Sequence, residues 1–160
     1  GHYDAAIAGY DKVLATQSDL YEIWTFRGYA LEQLGRYRES IASFEQALKI
    51  NPAFTLAWHG KGIAQAKLGH YEDALLCFDR TLKLDPGNVQ AYYNRGSALA
   101  HLNCHESALV CFNRVLAAVP NDYKAWYNRS KAETNLGDFA AALASVETAL
   151  SIKPTCHYAW

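Results

Sequence analysis

Histidine and cysteine gather in one short stretch of the chain: His101, Cys104, His105 and Cys111. These are residue types that bind zinc, and Cys77 stands 34 residues before Cys111. The spacing matches no zinc motif, and cysteine is also a common small buried residue, so no metal site is expected. Four cysteines, Cys156 being the last, allow three disulfide pairings. The chain is too long and too apolar for a small stapled scaffold, so free thiols in a reducing compartment, and a cytoplasmic location, are expected. No glycine loop cradles phosphate, and no zinc-protease or serine-nucleophile motif occurs. Carboxylates and histidines are scattered. Neither catalysis nor a cofactor is expected.

A second set of chemical groups is periodic. Arg27, Lys61, Arg95 and Arg129 recur every 34 residues. Asp11, Glu45, Asp79 and Glu147 follow the same period, with Asn113 filling the gap. A structural role is expected for both columns: basic stems packed over the core, their heads paired to the carboxylates.

That period organises the whole chain. Trp24, Trp58, Tyr92, Trp126 and Trp160 are 34 residues apart, as are Pro52, Pro86, Pro120 and Pro154. Leu14, Leu48, Leu82, Leu116 and Leu150 form a third column, and Tyr10, Phe44, Phe78, Phe112 and Val146 a fourth. Gly1, Gly35, Gly69 and Gly137 mark one turn, where Asn103 takes the glycine's place. Apolar residues at helical spacing predict first helices over 21–34, 55–68, 89–102 and 123–136. Second helices are predicted over 37–50, 71–84, 105–118 and 139–152, with 3–16 a second helix lacking its first. Glycine, or Asn103, supplies the left-handed turn after each first helix. Proline ends each second helix by disfavouring helical geometry in the residue before it. Small residues, such as Gly28 opposite Ser40 and Gly62 opposite Ala74, are expected to let paired helices approach. A lone pair cannot bury its apolar face, so each needs its neighbours.

At 51% hydrophobic and 19% charged, the 160-residue chain is too apolar to be disordered. No apolar run approaches the ~20 residues of a membrane span. A net charge of −1 gives no reason to expect nucleic acid or an anionic membrane as partner.

The segments W-T-F-R-G-Y-A-L-E-Q-L-G-R-Y from Trp24 and W-H-G-K-G-I-A-Q-A-K-L-G-H-Y from Trp58 resemble the tetratricopeptide repeat (TPR). The resemblance covers the chain as one array: half a repeat (1–20), four full repeats (21–54, 55–88, 89–122, 123–156) and a stub (157–160). It departs from the pattern at the basic column, where the family often has leucine, and at Asn103 and His105, which replace glycine and an aromatic in the third turn. The resemblance implies an all-α, right-handed superhelical solenoid of antiparallel helix pairs, with first helices lining a concave wall. Neither end carries a polar capping element, so the chain is expected to be a fragment of a longer array, or covered at one end by a partner.

Helical spacing then places residues one, two and five after the Trp column on that wall. They are Thr25, His59, Tyr93 and Tyr127; Phe26, Gly60, Asn94 and Asn128; and Tyr29, Ile63, Ser97 and Lys131. Lys124 joins them. The candidate ligand-binding residues are Tyr29, His59, Tyr93, Asn94, Lys124, Tyr127, Asn128 and Lys131. Asparagine both donates and accepts, so Asn94 and Asn128 suit an extended peptide backbone, as family members with an asparagine ladder use it. Tyrosine adds rigid amphipathic area. The first helices carry seven basic and three acidic residues, a surplus of four positive charges that favours an acidic peptide. Pairing of the basic column reduces that surplus, leaving Lys124 and Lys131 as the main basic residues. The family's carboxylate clamp for chaperone tails finds only Asn94 and Lys124 in register from Trp58, and nothing from Trp24, so that activity is not expected.

The leading expectation is a protein–protein interaction scaffold holding a peptide segment of a partner. The alternatives are a regulatory or substrate-recruiting arm of a larger enzyme, such as a protease or glycosyltransferase, and self-association through the repeat ends.

Overall fold

Each turn that breaks the periodicity is built as its residues require. Gly35, Gly69 and Gly137 have φ of 73°, 80° and 82°, and Asn103 takes the same left-handed region at 60°. Without a Cβ, glycine enters that region freely, and asparagine enters it more readily than most other side chains. The consequence is a double clasp on the helix before it. The Arg36 amide donates to the Leu31 carbonyl and the Gly35 amide to that of Glu32, both at 2.9 Å. His70, Cys104 and Asp138 donate in the same way to Gln65, Leu99 and Glu133. These bonds satisfy carbonyls that a helix end leaves without partners.

The computed structural model describes residues 1–154. Among them are nine helices: α1 (His2–Thr16), α2 (Tyr21–Gln33), α3 (Tyr37–Ile50), α4 (Thr55–Lys67), α5 (Tyr71–Leu84), α6 (Val89–His101), α7 (His105–Ala118), α8 (Tyr123–Asn135) and α9 (Phe139–Ile152). The second helices α3, α5, α7 and α9 coincide with their predicted spans, and α1 begins at His2, one residue before its own. The first helices stop one residue sooner, because Leu34, Leu68, Leu102 and Leu136 serve as C-caps. Cys156, Trp160 and the expected stub 157–160 lie outside the described residues.

The helices fall into two compact units, Gly1–Pro86 and Gly87–Trp160. In the first, α1 packs on α2, α2 on α3, α3 on α4 and α4 on α5, with α2 also beside α4. In the second, α6 packs on α7, α7 on α8 and α8 on α9, with α6 beside α8. Each unit is thus a short helical stack in which second helices separate successive pairs and first helices lie side by side.

The tryptophans anchor the entry to the first helices. Trp24 donates its indole N–H to the Ser18 carbonyl at 2.9 Å, and Trp58 and Trp126 donate to Pro52 and Pro120 at 2.8 Å. Trp58 packs on the cluster of Phe44, Ala47, Leu48 and Ala57, and Trp126 on that of Val115, Leu116 and Ala125. The ring thus buries apolar area while its one donor is satisfied.

The small-residue expectation needs a correction. Ser40 does meet Gly28, donating its Oγ–H to the Gly28 carbonyl at 2.7 Å. The space beside Gly28, however, is occupied by the phenylalanine column. A Cβ on Gly28 would stand 2.7 Å from Phe44 Cε1, and one on Gly60 would stand 2.4 Å from Cζ of the same ring. Phe44 is fully buried, held by a glycine of its own pair and a glycine of the next.

Candidate functional site

The basic column has the structural role expected of it in the first unit. Arg27 Nε donates to Asp11 at 2.7 Å and Lys61 Nζ to Glu45 at 2.8 Å. Arg27 also reaches Ser43 Oγ and lies over the Trp24 ring, 5.9 Å from its centroid. Arg129, whose partner position holds Asn113, pairs instead with Glu133 on its own helix at 2.9 Å. Glu133 is 4% exposed and accepts a second bond, at 2.7 Å, from Ser145 Oγ. It stands where earlier repeats have Leu31, Gln65 and Leu99. The Arg27 and Lys61 pairs, whose carboxylates lie outside the first helices, offset part of the positive surplus counted along those helices, in which Glu133 was already included.

On the first unit, Tyr29 and His59 are both half-buried. Tyr29 is a clasp between first helices: its hydroxyl donates to the Leu56 carbonyl at 2.8 Å, and its ring meets Phe44 edge-on at 5.1 Å. Burial, with Glu32 adding a smaller push, raises its phenol to about 12. His59 packs near Phe78, 6.0 Å between centroids, and burial lowers its imidazole below the usual range. Two other residues assigned to this wall are not on it. Thr25 is fully buried and donates to the Tyr21 carbonyl, and Gly60 is closed off by Phe44. Between α1, a second helix, and the first helix α2 lies a cavity of about 380 Å³ bordered by Tyr3, Tyr10, Phe26, Tyr29 and Ala30. Its lining is chiefly aromatic, and Phe26 is 48% exposed there.

The second unit brings more of the candidate residues together. Asn128 Nδ2 donates to the Tyr93 hydroxyl at 2.8 Å, joining α8 to α6. Burial raises the Tyr93 phenol, with Asp122 adding to it and the Asn128 bond opposing it. Lys131 is exposed, its Nζ 5.8 Å from the Tyr127 ring centroid. Asn94 Oδ1 accepts from Gln90 Nε2 at 3.4 Å, one helical turn before it. Lys124 is exposed at the start of α8, which Asp122 caps by accepting from the Lys124 and Ala125 amides at 2.9 and 3.0 Å.

Beside Asn128 and Lys131 lies a cavity of about 170 Å³ with a polar wall. Ser97, His101, Asn103, His105 and Asn135 complete its polar lining. Of these, helical spacing places only Ser97 on the wall, and His101 and His105 stand out in the sequence only as zinc-binding residue types. The available signal was the irregular third turn, whose two departures from the repeat, Asn103 and His105, both border the cavity. Among the described residues no group of three or more His, Cys, Asp or Glu is placed to hold a metal ion. Cys77 and Cys111 are buried, and burial, the largest influence, pushes the Cys77 thiol up to about 11. No helix of the described residues is long and apolar enough to cross a membrane.

Comparison with protein families matches the model described as tetratricopeptide repeat to residues 21–54, 59–109 and 105–155. No curated protein matches the chain. Among solved structures, the chain is similar to that titled "Crystal structure of YrrB: a TPR protein with an unusual peptide-binding site". The identity is 25% and the TM-score 0.88, over 99% of this chain and 81% of that one. It is also similar to the crystal structure of MamA, at 20% identity and a TM-score of 0.90, over 95% of this chain and 89% of that one. A third likeness is to MamA 41-end from Desulfovibrio magneticus RS-1, at 20% identity and a TM-score of 0.92, over 98% and 89% of the two chains. The two MamA likenesses show the all-α repeat fold.

Proposed function

Starting from the fact that this chain belongs to the tetratricopeptide repeat family, we propose that it is a protein–protein interaction module. In this reading it binds a peptide segment of a partner on the faces of its first helices and catalyses no reaction. The observation that carries the reading is the lining of the two cavities. That of the first unit is aromatic, suited to an apolar side chain. That of the second is built from amides, imidazoles and an ammonium, suited to the polar parts of a peptide. Tyr93, Asn94, Tyr127 and Asn128 add amphipathic and hydrogen-bonding surface to the second unit, and Lys124 and Lys131 its exposed positive charge. YrrB, a TPR protein described as having a peptide-binding site, supports the class of ligand. An acidic peptide is the preferred ligand, because Lys124 and Lys131 are exposed whereas Arg27, Lys61 and Arg129 already have carboxylate partners.

Selection from a displayed random-peptide library, followed by titration of the selected peptides, tests this. Peptides rich in Asp and Glu should emerge and bind more weakly at high salt. Lys124→Glu with Lys131→Glu should weaken them at least tenfold, and Asn94→Ala with Asn128→Ala should weaken neutral and acidic peptides alike. Selected peptides that bind both variants as tightly as the parent protein would show the wrong surface had been assigned.

A further inference from the structure

We propose that the polar cavity of the second unit is a carboxylate subsite, which takes either an Asp or Glu side chain or a chain-terminal carboxylate of the bound segment. This deepens the peptide-binding reading and rests on it.

The observation behind it is a coincidence between sequence and geometry. In three of the four helix pairs the turn holds glycine and the second helix starts with an aromatic: Gly35 and Tyr37, Gly69 and Tyr71, Gly137 and Phe139. In the remaining pair those positions are Asn103 and His105. Both line the same cavity, together with His101 from α6 and Asn128, Lys131 and Asn135 from α8. The fold does not need either change, since the other three turns form without them. Asn103 adds an amide where the other turns have no side chain, and His105 puts an imidazole in the place of a larger phenyl or phenol ring.

The lining selects the ligand's charge. It holds three amides, two imidazoles and one ammonium, and among the described residues no carboxylate borders it. Lys131 forms no ion pair among the described residues; its ammonium meets only the Tyr127 ring. The His105 ring borders the cavity, and its buried Nδ1 has no hydrogen-bond partner among the described residues. One ammonium surrounded by amide and imidazole N–H donors matches a monoanion. A phosphate ester, near −2, calls for the guanidinium clusters that recognise it, and no arginine borders the cavity. The volume of about 170 Å³ corresponds to roughly five or six liquid waters at ~30 Å³ each. That admits a carboxylate with its adjoining methylenes and excludes a whole peptide segment.

The test is a nitrogen-15 NMR titration of the full chain with four small probes at millimolar concentration. N-acetyl-aspartate methylamide stands for a side-chain carboxylate, and N-acetylglycine for a terminal one. The methylamide of N-acetylasparagine and N-acetylglycinamide are the neutral counterparts. The expected result is saturable shifts of the His105 ring and the Asn103, Asn128 and Asn135 side-chain amides with one or both acids, at least tenfold weaker with the matching neutral probes. Whichever acid binds tighter identifies the source of the carboxylate. Lys131→Met should weaken the acid at least fivefold. Asn103→Gly with His105→Phe should abolish the shifts of the remaining amides, and this double change restores the pattern of the other three turns, so folding is preserved. Equal response to acid and amide, no response in these side chains, or tighter binding of inorganic phosphate than of either acid would overturn the assignment. Acidic peptides selected by the chain that bind the double variant unchanged would remove the subsite and leave the peptide reading standing. Saturable acid binding with no peptide selected would do the reverse.

Discussion

Phe44 shows how closely single atoms are accounted for in the first unit. Its ring is fully buried and contacts the bare backbone of two different first helices, at Gly28 and Gly60. A methyl group at position 60 would begin 2.4 Å from Phe44 Cζ, well inside contact distance, so ring or helix must shift. Such overpacking costs about 1–3 kcal/mol. Alanine is favoured over glycine within a helix by about 1 kcal/mol, which offsets part of it. Because the ring has no solvent-facing side to retreat to, the upper part of the range applies. Gly60→Ala should destabilise the protein by about 1–2 kcal/mol in urea denaturation. Gly9, in the middle of α1, has nothing within 4 Å of its would-be Cβ. There the same substitution should stabilise by about 0.5–1 kcal/mol. Opposite signs for one chemical change would separate packing from propensity; a stabilising Gly60→Ala would refute the two-glycine seat for the ring.

Helix α8 carries the element-scale argument. Arg129 and Glu133, one turn apart, form an ion pair in which the carboxylate is buried and also bonded to Ser145 of α9. Arg27 and Asp11 form a pair of similar length, 2.7 Å, but the Asp11 side chain is 52% exposed against 5% for Glu133. Water screens the Arg27–Asp11 pair far more than the Arg129–Glu133 pair. Arg129→Met should therefore cost about 3–5 kcal/mol, because it strands a buried charge. Arg27→Met should cost about 1 kcal/mol or less through its ion pair. Thermal unfolding of the two variants checks the difference, and equal losses would refute it. The same helix shows what the sequence could and could not disclose. Its start and end follow from Asp122 as N-cap and Gly137 beyond the C-cap, both readable as residue types. The pairing of Arg129 was read only in part. Periodicity set a partner position for each basic residue sixteen positions earlier, and Asn113 left that position without a carboxylate. The replacement, Glu133, sits in an uncharged column of Leu31, Gln65 and Leu99, where a charge is not expected until the side chains that bond it are seen. The wall residues divide for a similar reason. Helical spacing gives a direction from the axis, yet whether Thr25 or Gly60 is open depends on which ring of a neighbouring helix covers it. The polar cavity depends on four segments at once, a first helix, the turn after it, the start of the second helix and the next first helix, so no single-helix pattern reveals it.

At the scale of the whole molecule, stability follows from nearest neighbours. Within each unit the packing runs from one helix to the next or next but one, and each repeat completes the burial of the one before it. In such a stack the free energy is a sum of repeat and interface contributions, and a local loss is felt mainly by the elements that share the damaged interface. Opening of separate segments then has separate free energies, which amide exchange measures. Gly60→Ala tests this directly. The clash is with Phe44, so its effect is centred on α2, α3 and α4, all in the first unit. Native-state hydrogen exchange should show amides of these helices exchanging about tenfold faster or more, the equivalent of about 1.4 kcal/mol. Amides of α8 and α9, whose packing partners are α6, α7 and each other, should change less than about twofold, because neighbour terms do not reach them. A uniform acceleration across α2 to α9 would mean that the chain opens as one cooperative block. In that event, coupling of a ligand on the second unit to the stability of the first would follow from the same block. If exchange is local instead, a carboxylate held by α6 and α8 protects the second unit and leaves α2 to α4 as they were.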